Sequence, residues 1–344
     1  MFILKDLPAR RLLRWNLPHI CALATWSILC VAVYDFSGLH WLTIPWLPLS
    51  LIGTAVAFYV GFKNNSAYDR IWEARKIWGG IVNTSRAWGA AVRAFIPKGK
   101  NTSLQDAEIR AIHKRLIYRH LAWLYALRSQ LLTVKSWEHA AQEGKVGRTA
   151  RLFQKEFGVG LIDDDITRDE LNLFLPPEEF QRTIRYQNTA TQILDRQSQE
   201  LRDLHADELF DDFRHMEFQK LLTQLYEHQG KAERIKNYPL PRQYANFGSV
   251  FVNLFLILLP FGMVSEFSSL GSYGTWWSVP FTILVGWVFR TMESIGDYSE
   301  NPFQGMANDI PMFALCRTIE IDLLEMLGET EIPPAVEAKN GVLM

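Results

Sequence analysis

The chain has 344 residues, 36 Lys+Arg against 37 Asp+Glu, and a formal net charge of -1. That balance argues against a nucleic-acid binder, which carries a basic excess on one face, and 13% aromatic residues exclude disorder. Three cysteines, Cys21, Cys30 and Cys316, are too few and too scattered for a disulfide framework or a zinc site.

Four runs hold no Asp, Glu, Lys or Arg: Trp15 to Tyr34 (20 residues), Trp41 to Phe62 (22), Ala245 to Val264 (20) and Phe267 to Phe289 (23). A bilayer core takes roughly 20 apolar residues in a helix, so each run predicts a transmembrane helix. The fourth is Ser- and Gly-rich at its start, and its core is Trp276 to Phe289, closed by Arg290. Lys5, Arg10, Arg11 and Arg14 precede the first span, and Lys63, Arg70, Arg75 and Lys76 follow the second. The connections Asp35 to His40 and Ser265 to Thr275 hold no Lys or Arg. Positive charge therefore predicts both termini and the long middle region in the cytoplasm, in a multi-pass protein of the inner (plasma) membrane. The first span is too long for the apolar core of a signal peptide, and no small-residue cleavage pattern follows it.

Residues 63–244 read as a cytoplasmic helical domain. Ile71, Trp72, Ile77, Trp78, Ile81, Trp88 and Val92 give Tyr68 to Phe95 a helical spacing. The second span meets this segment with no breaker, which predicts one continuous helix. A further helix is predicted from Leu104 to Gln142. Pro176-Pro177-Glu178-Glu179 is a helix start, with Pro in the first turn and acids at the positive end of the dipole. Helices are expected over 178–205 and 206–229, and a long loop from Gly144 to Asp165. Strand signals are almost absent. The organisation predicted is an all-α membrane protein: an N-terminal segment with spans one and two (1–62), the cytoplasmic domain (63–244), spans three and four (245–293), and a cytoplasmic C-terminal segment (294–344).

No phosphate-binding, dinucleotide, zinc-protease or nucleophile-elbow motif occurs. His113 and His120 share a helix face at most, and His19 reads as a packed residue. No catalytic residue, cofactor or metal site is expected. The spans carry no ionisable Asp, Glu, Lys or Arg for a proton relay or a gating charge.

Two stripes mark the second span. Gly53, Ala57 and Gly61 recur every four residues and form a small-residue face that lets helices approach closely. Thr54, Phe58 and Phe62 form an adjacent stripe, one position on. Around a shared axis, that stripe makes three rings that narrow one aqueous path, and a hydrophobic ring gates by dewetting. The alternative is that Phe58 and Phe62 face lipid or a partner helix.

The segment Ser50 to Arg86 resembles the bacterial bestrophin homologues, through Gly61, Phe62, Lys63, Asn64, Tyr68, Arg70, Glu73, Arg75, Trp78 and Gly79. Three later blocks look like the same family in the same order: Glu233-Arg234-Ile235 with Pro239-Leu240-Pro241 and Tyr244, then Leu258-Leu259-Pro260-Phe261-Gly262, then Asn301-Pro302-Phe303. The resemblance implies a homopentameric channel for small monovalent ions in the lipid bilayer, chloride by family, with a cation preference open for bacterial members. It implies a pore neck at Thr54, Phe58 and Phe62, with Thr54 departing from the usual aliphatic residue. It also implies a second constriction on the 206–229 helix, with Phe210, Phe213 or Met216 as candidates. Animal bestrophins follow Asn-Pro-Phe with a run of acids that helps bind calcium. Here only Asp309 is acidic in that segment, so calcium activation is not expected. The competing reading is a non-conducting membrane scaffold or sensor with a cytoplasmic helical platform.

Overall fold

The first uncharged run builds helix α1, Ala9–Ser37, which continues through Pro18. Away from water a helix is the simplest way to satisfy the backbone of an apolar run, and prolines are tolerated there when neighbours take up the freed groups. The structure, a computed structural model, describes residues 1–5, 9–96, 105–156, 165–271 and 273–344. Its further helices are α2 (Trp46–Phe95), α3 (Asp106–Leu132), α4 (Gly144–Glu156), α5 (Asp165–Phe174), α6 (Pro177–Thr183), α7 (Thr189–Ala206), α8 (Asp212–Asn237), α9 (Arg242–Phe267), α10 (Gly274–Ser299) and α11 (Met312–Leu327). Among the described residues the only strand-like pairing is two isolated bridges, Phe2 with Val342 and Lys339 with Val342.

The chain divides into two units: Leu4–Arg70 with Pro239–Asn301, and Met1–Ile3 with Ile71–Tyr238 and Pro302–Met344. The first contains α1, the first half of α2, α9 and α10. Its core is Leu23, Leu49, Val56, Val60, Val252, Phe255, Leu256, Leu259 and Met263. Three of the chain's helices, among the described residues, are long and apolar enough to cross a membrane: Trp15–Ser37, α2, and Arg242–Leu270. Helix α10 is diluted by Thr275, Ser278, Thr282 and Gly286, yet these polar and small residues are its buried face. They sit four or fewer residues apart, the pattern by which small side chains let helices pack closely. A β-carbon on Gly286 would lie 3.0 Å from Leu23 and 3.2 Å from Leu256.

The second unit is organised on α3. From Leu116 to Leu127 every residue but Tyr118 is buried, so this helix is apolar on nearly all sides and is wrapped by α5, α7, α8 and α11. Several of its buried polar groups are bonded to neighbouring helices. Arg119 binds Glu179 at 2.6 and 2.9 Å and also pairs with Glu200. The Trp123 indole donates to Gln229 at 3.0 Å, and His120 Nε2 lies 2.9 Å from the Ser85 hydroxyl.

Several expectations are corrected. The second apolar run is helical only from Trp46, because Trp41 to Pro45 is turn and extended chain. The fourth run is not one helix: α9 ends at Phe267, a single 3-10 turn covers Ser268–Leu270, and α10 opens at Gly274. Much of the expected loop 144–165 is helix α4, whose Ala150 and Phe153 pack on Ala140 and Met306. Residues 157–164, and Leu104 at the start of the third predicted helix, lie outside the described residues. The expected helices 178–205 and 206–229 are broken and re-registered. Asn188 caps α7, accepting from Thr191 N at 2.9 Å, and Asp211 caps α8, accepting from Arg214 N at 2.9 Å. A short polar side chain at a helix start satisfies an otherwise orphaned N–H.

Candidate functional site

Helix α2 carries the site because its apolar residues divide between two faces. Val56 and Val60 point into the core with Leu49. The opposite side opens as a groove of about 610 Å³ lined by Thr54, Ala57, Phe58, Gly61, Phe62 and Asn65. Phe58 is 65% exposed and Phe62 64%. Large apolar side chains exposed singly are ordinary, but two in register on one stripe form a patch that calls for a partner or a function. At 1.5 Å rise per residue the stripe from Thr54 to Phe62 runs about 12 Å along the helix. The Thr54 hydroxyl donates to Ser50 O at 2.9 Å, so it bonds to the backbone of its own helix. The groove is therefore almost wholly apolar at its centre.

The small residues do not share one contact within the chain. Gly53 is buried against Phe255, and a β-carbon there would lie 2.9 Å from the ring. Gly61 is exposed, with nothing within 4 Å of that position, and both Gly61 and Ala57 line the groove. Asn65, outside the four-residue stripe, extends the groove by one turn. Its spacing of three from Phe62 is the signal that finds it. Its amide donates weakly to Asp69, at 3.4 Å.

Just beyond the stripe the polarity changes. Lys63 is 1% exposed, and its ammonium donates to Glu293 of α10 at 3.3 Å. Asn64 donates to Met292 O at 2.9 Å. This cation, the first after the second span, is thus an internal strut between α2 and α10. Arg242 pairs with Glu300 at 2.9 Å in the same unit, and Arg70 donates to Glu300 O at 3.0 Å.

The three candidates for the second constriction separate in the structure. Phe210 is buried, its ring 5.3 Å from Phe218 and stacked at 6.0 Å on His215. Phe213 and Met216 are exposed, and Met216 lines a groove of about 450 Å³ on α8 with His215, Gln219 and Lys220.

The segment after Asn301 is a closed loop. Phe303 takes the left-handed conformation at φ 68°, with its ring fully buried. Asp309 Oδ1 accepts from Phe303 N at 2.9 Å and from Ile310 N at 2.8 Å, and Oδ2 accepts from Gly305 N at 2.8 Å. Lys236 donates to Phe303 O at 3.2 Å and pairs with Glu138. The one acid of the segment is engaged by backbone on both oxygens.

Helices apolar enough to span a bilayer, one of them with an exposed aromatic stripe, mark an α-helical membrane protein. The family model described as bacterial/fungal bestrophin protein matches residues 9–325, and the chain belongs to the bestrophin family. It is 29% identical to the voltage-dependent anion channel-forming protein mll4386 of Mesorhizobium japonicum, over 92% of this chain and 82% of the relative. It is 28% identical to the voltage-dependent anion channel-forming protein RSc3414 of Ralstonia nicotianae, over 97% and 96%. The crystal structure of a bacterial bestrophin homologue from Klebsiella pneumoniae has the same fold, with a TM-score of 0.74 at 23% identity, covering 91% of this chain and 98% of that one.

Proposed function

We propose that this chain is the subunit of a homopentameric anion channel of the inner membrane, with one central pore and a neck formed by Thr54, Phe58 and Phe62. The observation that carries the reading is the bare Phe58–Phe62 stripe lining an apolar groove on α2, in a chain whose relatives are named as anion channel-forming proteins. Four spans cross the bilayer, α10 being the fourth, with both termini in the cytoplasm. Residues 1–62 and 245–293 form the membrane part, and 63–244 and 294–344 the cytoplasmic part. α10 qualifies because its polar residues are inward and its outward residues, Trp277, Phe281, Leu284 and Val288, are apolar and exposed.

Around a five-fold axis, each residue of the stripe recurs five times at one level. The rings have no charge, so they select against water and hydrated ions by size and wetting rather than by sign. Aromatic edges are weakly positive, which lets an anion pass such a ring once it is wet. Phe213 and Met216, the exposed members of the second candidate set, are the residues for the cytoplasmic constriction. The test is planar-bilayer recording of purified protein in asymmetric KCl. A reversal potential near that of chloride supports the proposal, and one near that of potassium contradicts it.

A further inference from the structure

A second groove, of about 320 Å³, runs along α1, α9 and α10 of the same unit. Its apolar part is Leu23, Trp26, Leu256 and Ile257, and its polar part is His19, Asn253 and Arg290. Trp26 closes the floor, its indole donating to Ile257 O at 3.1 Å. The polar groups are not placed as core residues would be. Asn253 is exposed on the side of an otherwise apolar helix, and its only hydrogen bond in the described chain is a long one, accepting from Arg290 Nη1 at 3.4 Å. The His19 imidazole forms no hydrogen bond within the described residues. Arg290 has an acidic neighbour, Glu293, at 3.7 Å, but that carboxylate is already bonded by Lys63 at 3.3 Å. The guanidinium therefore shares its one carboxylate and keeps donors free toward the groove, where five N–H bonds in a fork fit phosphate geometry.

We infer that this groove binds one anionic phospholipid, with its phosphate on Arg290, Asn253 and His19 and one acyl chain along Leu23, Trp26, Leu256 and Ile257. The inference rests on the membrane-spanning reading of this unit. The levels agree with it. His19 lies one turn past Trp15, the start of the first uncharged run, about 6 Å along α1, and Arg290 closes the uncharged run of α10. The apolar residues lie on the bilayer side of both. An exposed amide and a cation on a face turned to hydrocarbon are costly unless a polar ligand meets them, and a headgroup phosphate does so. Free phosphate would leave the apolar half of the groove empty, so the occupant is a lipid. Basic pockets between membrane helices on the cytoplasmic side take such headgroups.

The test is native mass spectrometry of the full-length oligomer released from bilayers of equal phosphatidylglycerol and phosphatidylcholine. The expected result is retention of phosphatidylglycerol over phosphatidylcholine by about fivefold, the preference one cation near an anionic surface supports. Arg290→Gln should abolish that preference, and Arg290→Lys should keep part of it. Leu256→Trp, which fills the apolar half and leaves the cation, should lower total lipid retention. That variant keeps the test decisive if Arg290→Gln fails to assemble. Equal retention of both lipids, retention unchanged by Arg290→Gln and Leu256→Trp, or displacement of the lipid by millimolar inorganic phosphate overturns the proposal. Failure of the channel reading shows separately, as absent current from an oligomer that still carries the lipid.

Discussion

Gly53 and Phe255 are in direct contact across α2 and α9, so close that a β-carbon on Gly53 would lie 2.9 Å from the aromatic ring. Gly61, eight residues on, faces open space in the same chain. The two glycines of one sequence stripe thus have different duties. Gly53 sets the packing of α2 on α9, and Gly61 leaves the groove open, which in the proposed oligomer gives room to a neighbouring copy.

That difference predicts two separable defects. Gly53→Leu should destabilise the individual chain by about 1–3 kcal/mol, the usual cost of overpacking. Gly61→Leu should leave the thermal midpoint of the chain near wild type and shift the oligomer distribution on size-exclusion chromatography. Identical behaviour of the two variants in both measurements contradicts the assignment.

His120 predicts a pH dependence of the unit built on α3. Burial pushes its imidazole down to about 3 from the ordinary 6.5, so the folded protein holds it neutral. The unfolded chain takes up the proton first as pH falls. Stability contributed by the neutral form is complete above 6.5 and is lost between 6.5 and about 3, by about 1.4 kcal/mol for each pH unit. Thermal midpoints of wild type and His120→Gln, measured from pH 7 downward, should converge as the wild type loses this term. Parallel profiles would show that His120 does not titrate in this way.

Calcium removal should leave the current unchanged. Both oxygens of Asp309 accept backbone N–H bonds, and no further acid follows Asn301-Pro302-Phe303 before it. A hard divalent ion takes six or more oxygen ligands with several charges among them. Loss of current in chelator, restored by calcium, overturns this reading of the loop.

The topology is open to cysteine labelling. In a background lacking Cys21, Cys30 and Cys316, single cysteines at Ser37 and Ser269, both exposed, should react with an impermeant maleimide in intact cells. Reaction only after the membrane is opened places these turns inside and reverses the orientation.

The parts legible in the sequence were those that composition alone decides. Uncharged runs of bilayer length marked α1 and α9, and the absence of a breaker after Phe62 foretold the long α2. The stripe at Thr54, Phe58 and Phe62 was visible because spacing by four is a property of one helix. Helix α4 was hidden by Gly144 and Gly147 and by its basic residues. The breaks before α7 and α8 carried cap signals in Asn188 and Asp211 that helical periodicity overrode. What no local pattern could show was pairing over long sequence distances. Lys63 is one of four cations that follow the second span, and only the fold brings it to Glu293, 230 residues away. The burial of Phe210 against Phe218, which removes it from the constriction candidates, likewise depends on the packing of the α7–α8 turn.

The central claim is that Phe58 and Phe62 face a shared ion path, and single-channel recording of Phe58→Ala and Phe62→Ala tests it most directly. Each substitution removes five rings from one level of the proposed neck, widening it and weakening its tendency to dewet. Open probability or conductance should rise in both variants, with the oligomer intact on size-exclusion chromatography. Records indistinguishable from wild type in both variants would place the two rings against lipid or a partner helix and remove the neck.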